Sequence, residues 1–284
     1  MAKNVLERLA HGIGDLTDAQ KRVADYILKY PSEVAFMTIE KLAKNSRASV
    51  ATIMRLAYAQ NFDGYSDMQR ELKDIVLLQV TPASRLSVSA KKITNNKLLL
   101  QCAEMQIDNI RNTVSFMSDE AAKQGVAMLL KARKIYTIGI RSSKSVAIYL
   151  DEGLNRIGID CELLLPDTSR LLRQLALMDE HSLVIPVSFP RYIKKTYEIA
   201  NAAKMRKAKI LALTDGHSSP LAGIADLFIP CAYATLSFHS STLGAIFAAD
   251  YLLTAAALHD SRRSQKSLDA IEDFAQTFNP TLLK

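Results

Sequence analysis

Apolar residues recur at helical spacing in the N-terminal part of the chain, most regularly between residues 38 and 59. Ile39, Leu42 and Ala43 lie at i, i+3 and i+4, a spacing that places them on one face of a short helix. After a brief polar break, a second helix is predicted with an inward stripe of Val50, Ile53, Leu56 and Ala57. Two short amphipathic helices joined by a tight turn are the layout of a helix-turn-helix.

The second helix leaves a chemically distinct face outward. Arginine can donate two hydrogen bonds to guanine, threonine can bond a base or a phosphate, and alanine permits close approach to a thymine methyl group. Together with the expected N-caps and the turn, this face predicts seven DNA-binding residues: Thr38, Arg47, Ser49, Ala51, Thr52, Arg55 and Tyr58. The alternative is a helical hairpin that only packs within its own domain.

Helices are also predicted on both sides of this pair. Thr17 and Gln20 form a capping-box pattern ahead of an apolar stripe that ends before Pro31, and Ser66 with Gln69 repeats the pattern ahead of another helix. The N-terminal domain is therefore predicted to be all-α, with about five helices over residues 1–80 that hold the second helix at a fixed angle.

The pattern weakens after residue 79, where Pro82 and several serines interrupt helical periodicity and predict a domain boundary. Residues 81–118 are predicted to form a linker and a connecting helix. That helix carries an apolar stripe that is available for packing on another domain or another copy of the chain: Leu99, Ala103, Ile107, Ile110 and Val114.

The hydrophobic pattern changes in residues 119–284, where short apolar runs rich in β-branched residues alternate with helical stretches. This alternation is typical of βαβ units around a parallel sheet. The predicted strands cover residues 135–138, 161–165, 183–187, 210–213 and 227–229. The predicted helices before, between and after them cover about 118–133, 145–156, 169–177, 194–205 and 242–258. The predicted class is a Rossmann-like α/β domain with a five-stranded parallel sheet.

Ligands bind at the carboxyl ends of the strands in such sheets, and several of these ends carry hydroxyls and arginines. Ser142 and Ser143 follow the first strand at a predicted helix N-terminus, where hydroxyl and free N–H groups can hold an anion. Arginines there can pair with a phosphate or a carboxylate. The predicted ligand-binding residues are Arg141, Ser142, Ser143, Ser188, Arg191, Tyr192 and Thr214. For each serine taken alone, an ordinary N-cap is the alternative.

The charge distribution bears on the DNA hypothesis. The net charge is +7, but the excess is concentrated in residues 81–134, and the helical domain is nearly neutral. Within that domain, residues 40–60 hold four basic residues against one acidic residue. In the linker, Arg85, Lys91, Lys92 and Lys97 are either additional phosphate contacts or solvated side chains.

The three cysteines are far apart and lack neighbours at metal-ligand spacing, so neither a disulfide framework nor a metal site is expected. No cofactor and no catalytic residue is predicted. The start of the chain does not resemble a signal peptide, and no uncharged apolar run approaches the ~20 residues that span a bilayer. These features predict a cytoplasmic protein without a membrane partner.

Ordered motifs in both halves match a known family. In the helical domain they include Met37-Thr38-Ile39, Ala51-Thr52-Ile53 and Asn61-Phe62-Asp63-Gly64-Tyr65, and in the second half they include Leu213-Thr214-Asp215 and Ser219-Pro220-Leu221-Ala222. In this respect the chain resembles bacterial RpiR-type transcriptional regulators, which join a helix-turn-helix domain to a C-terminal SIS (sugar isomerase) domain. The resemblance implies a DNA-binding regulator whose SIS domain, over residues 119–284, senses a metabolite and forms a homodimer or homotetramer.

Arginine stands at three positions where the family usually has glycine. Arg47 occupies the turn of the helix-turn-helix, so either the turn tolerates a larger residue or its geometry differs. Arg141 follows the first strand, and Arg191 lies in the loop Ser188-Phe189-Pro190-Arg191-Tyr192-Ile193, where the family pattern is Ser-x-Ser-Gly-x-Thr. Because arginine blocks a backbone cradle and adds a cation, the expected effector is a small anionic or polar metabolite held by side chains, with a sugar phosphate among the candidates.

Three functions remain open at this point. The first is a regulator, not an enzyme, that binds double-stranded DNA and responds to a small effector. The second is an SIS-type phosphosugar isomerase, which needs a general base; His217 and His239 are the nearest candidates, and His181 is expected at the wrong strand end. The third is a ligand-free scaffold with a degenerate SIS domain.

Overall fold

The computed structural model describes residues 5–35, 37–79, 82–83, 85–87, 97–166, 169–217 and 219–278. The chain divides into two compact units, Met1–Thr81 and Pro82–Lys284. We call them the head unit and the sheet unit.

The head unit is helical, as the apolar periodicity predicts. A core of buried hydrophobic side chains, among them Leu9, Ile27, Leu42, Ile53 and Leu72, fills the space between the helices. The helices are α1 (Val5–Gly12), a 3-10 turn (Ile13–Asp15), α2 (Asp18–Lys29), α3 (Pro31–Val34), α4 (Ile39–Ser46), α5 (Val50–Ala59) and α6 (Tyr65–Gln79).

The capping signals were correct for α2 and wrong for α6. The Thr17 side chain accepts from the Gln20 N–H and the Gln20 side chain accepts from the Thr17 N–H, so the capping box is confirmed. α6, in contrast, begins at Tyr65, which makes Ser66 a residue of its first turn. The Gln69 amide points away from that turn and donates to the Met37 carbonyl at 2.5 Å, so a tertiary contact replaces the predicted cap.

The predicted inward stripe of α5 needs one correction. Ile53, Leu56 and Ala57 are fully buried against the rest of the head unit. Val50, the first residue of the helix, has 41 % of its surface exposed. At this position the helix has only begun, and the side chain lies beyond the reach of the core.

The sheet unit contains five parallel strands, confirming the predicted class. Their order across the sheet is β2-β1-β3-β4-β5, with every described neighbouring pair parallel. The strands are β1 (Lys134–Gly139), β2 (Cys161–Leu163), β3 (Ser182–Val187), β4 (Lys209–Thr214) and β5 (Leu227–Pro230). All residues of β3 are buried, because helices cover both faces of the sheet.

The helices of the sheet unit follow the predicted alternation, with one addition at the C-terminal end. They are α7 (Leu98–Phe116), α8 (Asp119–Lys131), α9 (Ser143–Arg156), α10 (Ser169–Leu177), α11 (Lys194–Met205), α12 (Leu243–His259) and α13 (Ser261–Phe278). The last, α13, has no counterpart in the sequence prediction. Two of its large apolar residues, Ile271 and Phe274, are exposed.

The connecting helix α7 buries polar residues and exposes apolar ones within its own unit. Asn109 donates to the Ala234 carbonyl at 2.8 Å and accepts from the Ala234 N–H at 2.9 Å. Thr113 accepts from the Ala232 N–H at 3.0 Å. The predicted apolar stripe lies on another face of α7 and remains exposed, with Val114 at 52 %. The stripe is therefore not used in the core of the sheet unit.

Candidate functional site

One face of α5 is open in the head unit. Ser49 is its N-cap and accepts from the Thr52 N–H at 3.1 Å, as predicted. Ala51, Arg55 and Tyr58 are exposed and Thr52 is half-buried. We call these four residues, Ala51, Thr52, Arg55 and Tyr58, the α5 face.

The turn before α5 keeps a left-handed backbone although it contains no glycine. Arg47 adopts φ 50° and ψ 46°, and the Ala48 N–H donates to the Ala43 carbonyl at 3.0 Å, which closes the C-terminus of α4. Arg22 donates to the Arg47 carbonyl at 3.4 Å. Of the two possibilities left open by the sequence, the turn therefore tolerates the larger residue and keeps its geometry.

The surface around the α5 face is basic. Thr38 caps α4 by accepting from the Lys41 N–H at 3.3 Å, which places Lys41 in the first turn of that helix. Among the described residues of the head unit, no carboxylate lies within salt-bridge distance of Lys41, Lys44, Arg47 or Arg55. These cations are therefore available to an external anion.

A cavity of about 390 Å³ lies at the carboxyl ends of β1 and β3 in the sheet unit. We call it the strand-end cavity. Five of the seven predicted ligand-binding residues line it: Arg141, Ser142, Ser143, Ser188 and Arg191. The lining also includes residues that the sequence did not single out for ligand binding: Pro82, Arg85, Ile140, Phe189, Pro190, Ile193, Phe238, His239 and Ser240.

Two of the arginines in the strand-end cavity have left-handed backbones. Arg141 has φ 58° and Arg191 has φ 72°. The chain thus keeps at both loops a conformation that glycine adopts readily, while carrying a guanidinium there. In the part of the chain that the structure describes, neither guanidinium is paired with a carboxylate.

Arg85 brings a third guanidinium to the cavity from the segment that precedes α7. Its side chain donates to the Ser240 hydroxyl at 3.1 Å. Burial lowers the pKa of Arg85; the Tyr233 phenol raises this pKa, and the charge of Arg191 lowers it further. The sequence prediction offered Arg85 as a phosphate contact on DNA, but the structure places it in the strand-end cavity. Lys91 and Lys92 lie outside the described residues.

Tyr192 and Thr214 do not line the strand-end cavity, and their side chains hold its loops instead. Thr214 is fully buried and donates from its hydroxyl to the Ser188 carbonyl at 2.7 Å. The Tyr192 hydroxyl donates to the Asp215 carboxylate at 2.9 Å. The end of β4 thereby fixes the loop that follows β3.

The loop between β1 and α9 is shaped by Gly139. A Cβ atom at this position would lie 2.2 Å from the Ser143 carbonyl oxygen, so only glycine fits. Ser142 is the N-cap of α9, and its hydroxyl makes no capping hydrogen bond. The ordinary N-cap alternative therefore does not describe Ser142, which lines a cavity at the positive end of a helix.

The three histidines considered as isomerase bases lie in different places. His239 lines the strand-end cavity, with its Nδ1 atom 3.1 Å from the Ser237 hydroxyl. His217 packs edge-on against Phe228, with ring centroids 4.8 Å apart. His181 immediately precedes β3, at the opposite end of the strands from the cavity, as expected.

The part of the chain that the structure describes contains neither a candidate metal site nor a candidate membrane span. No group of three or more His, Cys, Asp or Glu side chains there is arranged to hold a metal ion. No helix there has both the length and the apolar character needed to cross a membrane.

Two family descriptions match the chain. The helix-turn-helix domain of the rpiR family matches residues 3–76, and the SIS domain matches residues 128–255. An uncharacterized HTH-type transcriptional regulator of Haemophilus influenzae is 26% identical over 230 residues, which are 80% of this chain and 80% of that protein.

Solved structures show the same architecture. The sugar isomerase domain of an RpiR transcription factor from Sphaerobacter thermophilus is 29% identical, with a TM-score of 0.60 over 62% of this chain and 99% of that one. The Vibrio vulnificus NanR protein, solved in complex with ManNAc-6P, is 24% identical, with a TM-score of 0.64 over 98% of this chain and 100% of that one.

Proposed function

Because the chain belongs to the rpiR family of helix-turn-helix transcriptional regulators that carry an SIS domain, we propose that its head unit binds double-stranded DNA through the α5 face and that its sheet unit senses a small anionic metabolite. Ligand binding changes the affinity for DNA. We place the protein in the bacterial cytoplasm, where the chromosome lies. The absence of a disulfide framework among its cysteines suits the reducing conditions of that compartment.

The α5 face is the observation that carries the DNA-binding proposal. α5 is capped by Ser49 and anchored by three fully buried residues, yet Arg55 and Tyr58 remain exposed. A rigid helix with a short row of outward polar side chains suits base reading in a major groove. We assign base contacts to Ala51, Thr52, Arg55 and Tyr58, and phosphate contacts to Thr38, Arg47 and Ser49.

The test uses duplexes selected from a random pool by the wild-type chain. Their affinity is measured by fluorescence anisotropy at several salt concentrations, together with that of a scrambled duplex. The wild type binds the selected duplex more tightly, and Arg55→Lys loses this preference while keeping its affinity for the scrambled duplex. Lysine keeps the charge but not the bidentate geometry. A wild-type chain that binds both duplexes equally would contradict the proposal.

The sensing proposal rests on the chemistry of the strand-end cavity. Three arginines and the N-terminus of α9 surround a space of a size common for small-ligand sites. Arg85 also offers a route for coupling, because it is only six residues beyond the end of α6 in the chain. An anion that binds Arg85 therefore contacts the segment through which the two units are covalently joined.

We also propose that the chain acts as a homo-oligomer, with a second copy covering the apolar stripe of α7. Ile107, Ile110 and Val114 are exposed on one side of this helix, and they follow the i, i+3, i+7 spacing of a packing face. Helix-turn-helix proteins read paired half-sites as symmetric dimers, so a self-associating helix fits a DNA-binding role.

An isomerase is disfavoured by the composition of the cavity. Sugar isomerisation needs a general base next to the substrate carbon, and no described residue of the lining is a carboxylate. His239 is the one described histidine in the lining. We therefore propose a binding function without turnover. Interconversion of hexose 6-phosphates by the purified chain, abolished in His239→Ala, would overturn this proposal.

A further inference from the structure

The strand-end cavity combines three cations with a described lining that contains no acidic side chain. Resting on the proposed sensing role of the sheet unit, we propose that its ligand carries two separate anionic groups, each a phosphate or a carboxylate, rather than one phosphate on a polyhydroxylated sugar. The proposal depends on charge, on hydrogen-bonding capacity and on backbone strain.

Charge balance requires more than one phosphate. Arg85, Arg141 and Arg191 contribute three positive charges, and the N-terminus of α9 adds a partial one. A phosphate monoester supplies about −1.5 to −2 charges at neutral pH. One phosphate therefore leaves excess positive charge in a partly enclosed site, whereas a phosphate together with a carboxylate or a second phosphate brings about −2.5 to −4 and offsets nearly all of it.

The arrangement of the arginines provides two places for anions. Arg141 follows β1 beside the N-terminus of α9, where Ser142 and Ser143 offer hydroxyls. Arg85 and Arg191 line the same cavity, whose described lining contains no carboxylate, and the positive charge of Arg191 lowers the pKa of Arg85. An anionic group between Arg85 and Arg191 removes this repulsion, and a second one occupies the α9 end.

The hydrogen-bonding side chains in the cavity are mainly donors. A sugar ring offers several hydroxyl donors, which are usually met by carboxylates or side-chain amides. The described lining has no Asp, Glu, Asn or Gln; its acceptors are serine hydroxyls and His239. The remaining lining is apolar and includes Phe189 and Phe238. This surface suits a carbon skeleton with few hydroxyls between two charged ends.

Backbone strain indicates that the guanidiniums themselves are used. A left-handed conformation costs roughly 1–2 kcal/mol for a residue other than glycine. Arg141 and Arg191 both adopt it, in adjacent loops of one cavity. Strain of this kind persists at functional sites where the side chain contributes to binding.

The experiment measures the thermal stability of the full chain with matched pairs of probes at constant ionic strength. 6-Phosphogluconate is compared with glucose 6-phosphate, and fructose 1,6-bisphosphate with fructose 6-phosphate. Each first member adds a second anionic group to nearly the same skeleton. Citrate tests an anion with a single hydroxyl. We expect the doubly anionic member to bind about tenfold more tightly or better in each pair.

Two variants remove a guanidinium without endangering the fold. Arg141→Gly and Arg191→Gly relieve the left-handed strain, so the ligand-free melting temperature stays the same or rises, while the shift caused by the doubly anionic probe is lost. Lys207→Gly is the matched control. Lys207 also has a left-handed backbone, at φ 67°, but follows α11 and does not line the cavity. It should gain stability and keep the full ligand shift.

Equal shifts within each pair, no shift with any probe, or a shift unchanged in both cavity variants would overturn the inference. Affinity for the selected DNA duplex is measured on the same samples. If that affinity is intact while the probes fail, only the ligand class is wrong. If specific DNA binding is absent as well, the proposed function fails.

Discussion

The α5 face and the strand-end cavity both present arginines that have no carboxylate partner among the described residues, but on surfaces of opposite curvature. On α5, Arg55 extends from a convex helix surface with an alanine and a threonine beside it. In the cavity, Arg85, Arg141 and Arg191 converge from three separate segments on about 390 Å³. The convex face can reach into a groove lined by a continuous polyanion, whereas the concave site admits only a small anion. Shape, and not charge alone, therefore separates the two proposed roles.

Arginines with a left-handed backbone occur in both units. Arg47 in the head unit and Arg141 and Arg191 in the sheet unit have similar backbone angles. Arg47 is held by backbone hydrogen bonds that end α4, and its side chain is exposed. The other two side chains line a cavity. An arginine with a left-handed backbone thus supplies an outward cation in one unit and an inward cation in the other.

The largest effect is expected from separating the copies of the chain. Ile110→Asp combined with Val114→Asp places two charges on the exposed apolar stripe of α7. We expect a monomer by light scattering and a loss of about 100-fold or more in affinity for a two-half-site duplex, because the second head no longer binds in the same event. The response to anionic probes persists.

Asn112→Asp is the control for these substitutions, since it adds a charge to an exposed position of α7 outside the stripe. It should leave the oligomer and the DNA affinity unchanged. A double variant that keeps the wild-type mass would show that the stripe is not the contact between copies.

The second largest effect is expected on the α5 face. Arg55→Ala removes a proposed bidentate contact to guanine and should cost about 1–3 kcal/mol of binding to the selected duplex. Fluorescence anisotropy measures this loss. The stabilisation by a doubly anionic probe should not change, because Arg55 belongs to the head unit. Unaltered DNA affinity would remove α5 as the reading helix.

In the sheet unit, Thr214→Val tests whether the Thr214 hydroxyl stabilises the loop after β3 that lines the strand-end cavity. It deletes the 2.7 Å hydrogen bond to the Ser188 carbonyl in a fully buried position, and we expect a loss of about 1–3 kcal/mol in stability together with weaker anion binding. Calorimetry of the full chain measures the first effect.

Thr196→Val is the matched control for Thr214→Val. Thr196 is also buried, but its hydroxyl has no hydrogen-bond partner among the described residues. Its replacement should be neutral or stabilising. If both variants lose the same stability, the Thr214 hydroxyl does not have the role assigned to it.

The smallest effect is expected at Arg47, in the turn between α4 and α5. Arg47→Gly should stabilise the head unit by about 0.5–1 kcal/mol, since relief of left-handed strain exceeds the entropy that glycine loses on folding. If Arg47 contacts a DNA phosphate, the logarithmic salt dependence of binding should also decrease by about 1 in slope. Destabilisation would mean that the Arg47 side chain supports the turn.

Regular elements of this chain could be predicted closely, because they carry strong periodic signals. The pattern predicts α10 and α11 with the same bounds as the structure, since each lies between clear apolar strands. β2 is shorter than predicted, ending at Leu163 instead of Leu165. α13 was not predicted, although Leu268, Ile271 and Ala275 lie at the i, i+3, i+7 spacing of a helix. Ile271 and Phe274 are exposed, so this face is not used in the core of the sheet unit.

The candidate site could be predicted only where the sheet topology brings strand ends together. Arg141 and Arg191 follow neighbouring strands, so their convergence follows from parallel pairing. Arg85 and Ser240 come from segments distant in sequence, and no local pattern indicates where such segments cross the sheet. Tyr192 was predicted to bind the ligand because it lies in the loop that follows β3. Its hydroxyl instead donates to the Asp215 carboxylate, and the sequence pattern does not show the direction of a side chain.

The most direct test of the account joins its two regions in one titration. Affinity for the selected duplex is measured at constant ionic strength with and without the doubly anionic probe that stabilises the chain most, in the wild type and in the double variant Arg141→Gly, Arg191→Gly. We expect a change of about 5-fold or more in the wild type and none in the variant. An unchanged wild-type affinity, or an equal change in both proteins, would contradict it.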